Sequence, residues 1–188
     1  MKTKKTISTR RLVLAALMAA LTVAGSALRI KIPVDIAGTT AFHLGNIMCA
    51  LSGLLLGPWL GGLAAGLGSA IYDMFDPTYI SEAWLTFLMK GAYGLAVGLV
   101  ACIGKKDWGY VRATLASCTG ALTYALLYLG KTSLKAIFVQ GVTHSAALIA
   151  VVGKLPATTF NAAVAIIFAP ILGVAIRKAL KKNHLSLV

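Results

Sequence analysis

The chain is divided into apolar stretches of membrane-crossing length, with its charges confined to the gaps between them. About 20 apolar residues in helical form cross the hydrocarbon core of a bilayer, and helix satisfies the backbone polar groups that lipid cannot. Six stretches qualify: residues 11–28, 42–57, 59–75, 82–103, 110–129 and 157–176. Hydrophobic residues make up 59% of the 188 and charged ones only 12%. A soluble chain of this length has too much surface to hide so much apolar material, whereas lipid solvates it directly. The expected fold is an all-α polytopic membrane protein, a single domain of six transmembrane helices.

The formal net charge is +13. A nucleic-acid partner is excluded by its placement, because the basic residues sit at the ends of apolar stretches and form no stripe along one face. They orient the chain instead. With six spans and the N-terminus inside, residues 1–11, 104–112 and 177–188 are cytoplasmic. They carry Lys2, Lys4, Lys5, Arg10, Arg11, Lys105, Lys106, Arg112, Arg177, Lys178, Lys181 and Lys182 against Asp107 alone. The outer side receives Arg29, Lys31, Lys131, Lys135 and Lys154 against Asp35, Asp73, Asp76 and Glu82. Both termini are therefore expected in the cytoplasm. A seventh span would place the Arg177–Lys182 cluster outside, so residues 131–156 are expected to form an outer loop or a half-inserted helix. A cleaved signal peptide at the start would leave five spans and the same C-terminal orientation. The alanines at 15, 16, 19, 20 and 24 favour a retained, packing helix.

Small residues recur four apart, at Gly53/Gly57, Gly57/Gly61, Gly62/Gly66 and Gly94/Gly98, the spacing that lets membrane helices approach closely. Gly57-Pro58 marks a tight turn, so the second and third helices form an antiparallel hairpin. Cys49, Cys102 and Cys118 lie in apolar runs without disulfide or metal spacing and are expected to be packing residues. Trp59, Trp108 and Tyr110 suit an interfacial belt.

Polar residues gather toward the outer side. Tyr72, Asp73, Asp76, Tyr79, Glu82 and Trp84 surround the loop between spans three and four, and His43 and Asn46 begin span two. Tyr124 and Tyr128 share a face of span five, Asn161 lies a turn into span six, and His144 precedes it. Lys90 sits inside the membrane, where an ionisable group needs a partner or a purpose, and Asp73 is its expected ion-pair partner. Such groups converging at one level suit a pocket for a small polar ring. Asp35 reads as a solvated turn residue. His43, His144 and His184 lack metal-ligand spacing, so no metal is expected. No phosphate loop, nucleophile elbow or acid–base set is present, so neither an enzyme nor a cofactor is expected.

Several motifs together resemble the substrate-binding S components of energy-coupling factor (ECF) vitamin transporters. They are the alanine-rich first helix (Leu12 to Ala20), Phe42-His43-Leu44-Gly45-Asn46, Leu54-Leu55-Leu56-Gly57-Pro58, the run Gly61 to Ala70, Asp73, and Thr86-Phe87-Leu88-Met89-Lys90-Gly91. The resemblance implies six helices with cytoplasmic ends and an outward pocket roofed by the loops after helices one, three and five. It implies that Ala15, Ala16, Ala19 and Ala20 dock on a transmembrane scaffold, the T component, driven by two cytoplasmic ATPases, and that the subunit topples to deliver its substrate. The pattern around His43 and Lys90 looks closest to members for small heteroaromatic vitamins or precursors of the hydroxymethylpyrimidine or pyridoxine type. Cobalamin, riboflavin, pantothenate and folate are the alternatives. A self-sufficient secondary transporter would be expected to show an inverted repeat, and none is visible.

Overall fold

A computed structural model describes residues 8–34, 38–103 and 108–183. The expectations for Asp35, His184, Lys2, Lys4, Lys5, Lys105, Lys106 and Asp107 fall outside these residues. The chain is an all-α membrane protein in its body, 83% helical. Helix α1 (Thr9–Ala27) leads into a two-stranded hairpin, β1 (Arg29–Val34) and β2 (Gly38–His43). Then follow α2 (Gly45–Leu56), α3 (Pro58–Met74), a short 3-10 turn (Ile80–Glu82), α4 (Ala83–Cys102), α5 (Tyr110–Leu134), a π-helical turn (Lys135–Val139) and α6 (His144–Lys182). Four helical stretches, Thr9–Ala27, Ile80–Cys102, Tyr110–Val139 and His144–Lys182, are long and apolar enough to cross a membrane by length and composition.

The packing inverts that of a soluble domain. Ala50, Ala65, Ala113, Ala116, Ala165 and Ala169 are fully buried, while large residues such as Leu126, Val111 and Phe138 lie exposed on the outside. Small residues inside let backbones touch; large ones outside meet lipid. A Cβ added at Gly53 would lie 2.5 Å from the Gly94 carbonyl oxygen, and one at Gly62 would lie 2.9 Å from that of Gly91. The glycines therefore weld α2, α3 and α4 together. Gly57, with φ +79°, ends α2, and Pro58 opens α3. That left-handed geometry suits glycine, and proline suits a helix's first turn, so the hairpin turn is as tight as expected.

Two regions differ from the sequence reading. Residues 29–34 and 38–43 pair as an antiparallel hairpin, Arg29 with His43 and Val34 with Gly38, where a loop after the first helix was expected. Alternating Arg29, Lys31 and Pro33 with Ile30, Ile32 and Val34 is the period of a strand, and it sends the two cations to one side. Residues 131–156, expected as an outer loop or half-inserted helix, instead complete α5 and open α6 after a short break. Thr143 caps α6 by accepting from the Ala146 amide at 3.3 Å. At 39 residues α6 is about 58 Å long, against a hydrocarbon core of about 30 Å. It is therefore longer than one crossing needs, and its start packs beside the hairpin.

Candidate functional site

Arg29, Lys31, Lys131, Lys135 and Lys154, spread from position 29 to position 154, converge on one end of the bundle. Arg29, at the root of β1, places its guanidinium 3.5 Å from the Asp73 carboxylate and 3.8 Å from that of Asp76. It also stacks over Tyr72 at 4.1 Å and Tyr79 at 5.0 Å. Two carboxylates and two aromatic faces thus hold a single planar cation, a task for which arginine is suited. Lys31 donates to Asp76 at 2.7 Å and to Thr78 Oγ1 at 3.1 Å, pinning the hairpin to the loop after α3. Burial opposes the charge on Asp76, but the hydrogen bonds from Lys31 and the Thr78 amide outweigh it and hold this carboxyl below its ordinary range. Burial, and then the neighbouring Tyr128, push the Tyr79 hydroxyl up to about 12, so it stays protonated and able to donate.

The inner wall is a ladder of rings. Tyr124 stacks on Tyr128 with centroids 5.6 Å apart, and Tyr93 continues the stack beneath at 6.0 Å. Tyr124 and Tyr128 meet because they are one helical turn apart on α5. Lys90, only 3% exposed, lies 3.8 Å over the Tyr124 ring and donates to the Asn46 side chain. The expected Lys90–Asp73 ion pair is replaced by the Arg29–Asp73 pair, because the hairpin brings an arginine to Asp73 first.

The end of α5 and α6 complete the enclosure. Lys131 donates to Glu82 at 2.6 Å, and Lys135 donates to its other oxygen, tying the start of α4 to the end of α5. Asn161 clamps β2: its amide donates to the Ala41 carbonyl at 2.8 Å, and its oxygen accepts from the His43 amide at 2.9 Å. Lys154, 6% exposed, lies 5.2 Å over the Tyr128 ring. Between these walls is a cavity of about 230 Å³.

Of the residues singled out from sequence, His43, Asp73, Tyr79, Glu82, Lys90, Tyr124, Tyr128 and Asn161 line this cavity. Asn46 lies beneath it holding Lys90, and Asp76 stands behind Arg29. Two others are not brought in. Trp84 is 64% exposed, since Thr86, Met89 and Lys90 form the inward stripe of α4 and a residue two before Thr86 points the other way. His144 is exposed at the start of α6, about 15 Å of helix above Lys154. The lining residues that sequence reasoning missed include Arg29, Thr40, Ser69, Thr86, Lys131, Lys135, Lys154 and Thr158. A signal existed for some of them: Lys131, on α5, and Lys135, at the start of the π-helical turn that continues it, sit three and seven residues past Tyr128.

On α1 the two alanine rows have different neighbours. Ala15 and Ala19 are partly buried against the Met18, Leu51 and Ala64 core, Ala19 against Gly68 of α3. Ala16 and Ala20 are exposed. Only the second row is open to a partner, because three- and four-residue spacings place the rows on adjacent but distinct faces.

A helix bundle with an apolar exterior, closed over a polar, ring-lined cavity at one end, has the form of a membrane protein with a pocket for a small molecule. The family model for the ECF-type riboflavin transporter, S component, matches residues 6–178, and the chain belongs to this family. It is thus a multi-pass membrane protein, a vitamin-binding subunit of an ECF transporter that works with a T component and ATPases, and not an enzyme. Over 109 residues it is 36% identical to a protein of Pyrococcus woesei described as "Uncharacterized protein in gap 3'region", which covers 58% of this chain and 68% of that relative.

Proposed function

We propose that this chain captures a compact heteroaromatic vitamin or vitamin precursor at the outer face of the membrane and delivers it to the cytoplasm for an ATP-driven importer. In this reading all six helices cross the bilayer, α2 and α3 as a paired hairpin, with both termini inside. The observation that carries the reading is the stacked Tyr124–Tyr128 wall facing the Arg29, Tyr79 and Glu82 side of a single cavity. Aromatic faces bind a flat ring by offset stacking, and the surrounding hydroxyls and charges fix its polar edge.

A volume of about 230 Å³ favours one small ring system, of the hydroxymethylpyrimidine or pyridoxine kind, and weighs against cobalamin. Riboflavin is the second reading, favoured by the name of the matching family. The exposed row Ala16 and Ala20 is the surface we assign to the T component, since small side chains permit close helix approach. With that contact on one side and the pocket at the far end of the bundle, toppling of the subunit would carry the ligand inward. The test is reconstitution in vesicles with a T component and two ATPases. Uptake of the labelled vitamin that needs both ATP and the partners is expected; uptake by this chain alone, driven by an ion gradient, would replace the reading with a secondary transporter.

A further inference from the structure

Charge within the cavity does not balance. Arg29 is held by Asp73 and Asp76, and both oxygens of Glu82 are engaged by Lys131 and Lys135. Two further ammonium groups face the same space with no ion-paired carboxylate among the described residues. Lys90 has the neutral Asn46 oxygen and the Tyr124 ring. Lys154 has the Tyr128 ring, which it shares with Lys131 at 5.4 Å.

Magnitudes decide whether rings suffice. A desolvated ammonium over an aromatic face gains less than taking that ion out of water costs, even after relaxation. The deficit falls at the end of a membrane bundle, where an ionisable group is expected to have a functional partner. Lys154 is more than nine-tenths buried, borders the cavity, and stands in the wall that faces an incoming ligand.

Resting on the vitamin-capture reading above, we infer that the ligand binds as an anion: a ring compound whose carboxylate or phosphate is received by Lys154, with Lys131 and Lys90 adding charge from the flanking walls. The ring stacks along the tyrosine ladder, and the acidic group completes a cationic site left open by the protein's own carboxylates. The neutral parent of the same ring would leave that charge uncompensated.

The full-length chain in lipid nanodiscs is titrated with matched pairs: riboflavin and its phosphate ester, pyridoxine and its phosphate ester, hydroxymethylpyrimidine and its phosphate ester, nicotinamide and nicotinate. Within the pair that binds, the acidic member should bind at least about tenfold tighter, as a charge-assisted hydrogen bond implies. Lys154→Gln should bring its affinity down to that of the neutral member, and Lys154→Arg should keep the preference. A carboxylate-only or phosphate-only preference identifies which acid is recognised. A neutral member that binds as well as its acidic partner overturns the inference and leaves vitamin capture standing. A preference that survives in both Lys154→Gln and Lys90→Gln overturns the assignment to these lysines. Binding of no pair would contradict the inference and the capture reading together.

Discussion

The two ends of the bundle are built on opposite terms. Away from the pocket, α2, α3 and α4 meet through glycine and alanine, with Gly53, Gly61 and Gly94 so close that backbone touches backbone. At the pocket end long charged side chains hold β1 to the end of α3 and α5 to the start of α4, Arg29 to Asp73 and Asp76 and Lys131 to Glu82, beside a cavity. The difference teaches a division of labour. Contacts between small residues have one geometry and no solvent-dependent alternative, so they make a rigid frame. Ion pairs can be exchanged for a ligand's charges, so they suit the end that must open and close.

The largest expected effect is at the frame. Gly53→Leu would force carbons against the Gly94 carbonyl and Val97, and because the obstacle is backbone the loss should exceed the about 1–3 kcal/mol usual for core overpacking. Thermal unfolding in detergent should show little or no folded protein; a normal melting temperature would mean that the glycine weld is dispensable. At the other end, Arg29→Ala leaves the buried Asp73 carboxylate without its cation, while Asp76 keeps Lys31, and should cost about 3–5 kcal/mol. Ligand binding should be lost with it, while helix content by circular dichroism is kept. If binding survived, the hairpin would be no part of the pocket's closure.

Ala16→Trp and Ala20→Trp probe the outward face of α1. Binding to the solitary subunit should be unchanged while transport with the partners falls to background; loss of binding as well would place this row inside the fold. The smallest effect concerns Asp76. Because its folded carboxyl is held below the ordinary range, its contribution is present above the unfolded value of about 3.9 and disappears as pH falls through the lower folded one. Asp76→Asn should flatten the acid limb of melting temperature against pH by less than about 1 kcal/mol, since its partner Lys31 is partly solvated.

Much of the frame was legible because membrane helices advertise themselves by length, and Gly57-Pro58 and the Tyr124/Tyr128 spacing are strictly local signals. The eight expected residues that line the cavity lie on helices or in the short connections between them at one end of the bundle. What escaped notice depended on long-range geometry. Arg29 and Lys31 counted only as orienting charges, although the Arg-Ile-Lys-Ile-Pro-Val alternation already had the period of a strand. Lys154 lay in a stretch whose thirteen following residues to Ile167 continue as helix, so its place on a wall of the cavity followed only once α6 was seen as one 39-residue rod. Trp84 was drawn in by its neighbours in sequence, when its helical angle turns it to the lipid.

The proposed capture and docking surfaces both rest on the reading that the cavity faces outward and the α6 C-terminus inward. With Cys49, Cys102 and Cys118 replaced, a single cysteine is introduced at exposed Ser81 or at exposed Asn183 and treated with a membrane-impermeant maleimide in intact cells. Labelling at Ser81→Cys alone, with Asn183→Cys reacting only after the membrane is opened, is the expected result; labelling at Asn183→Cys in sealed cells would turn the bundle over and remove the basis for both surfaces.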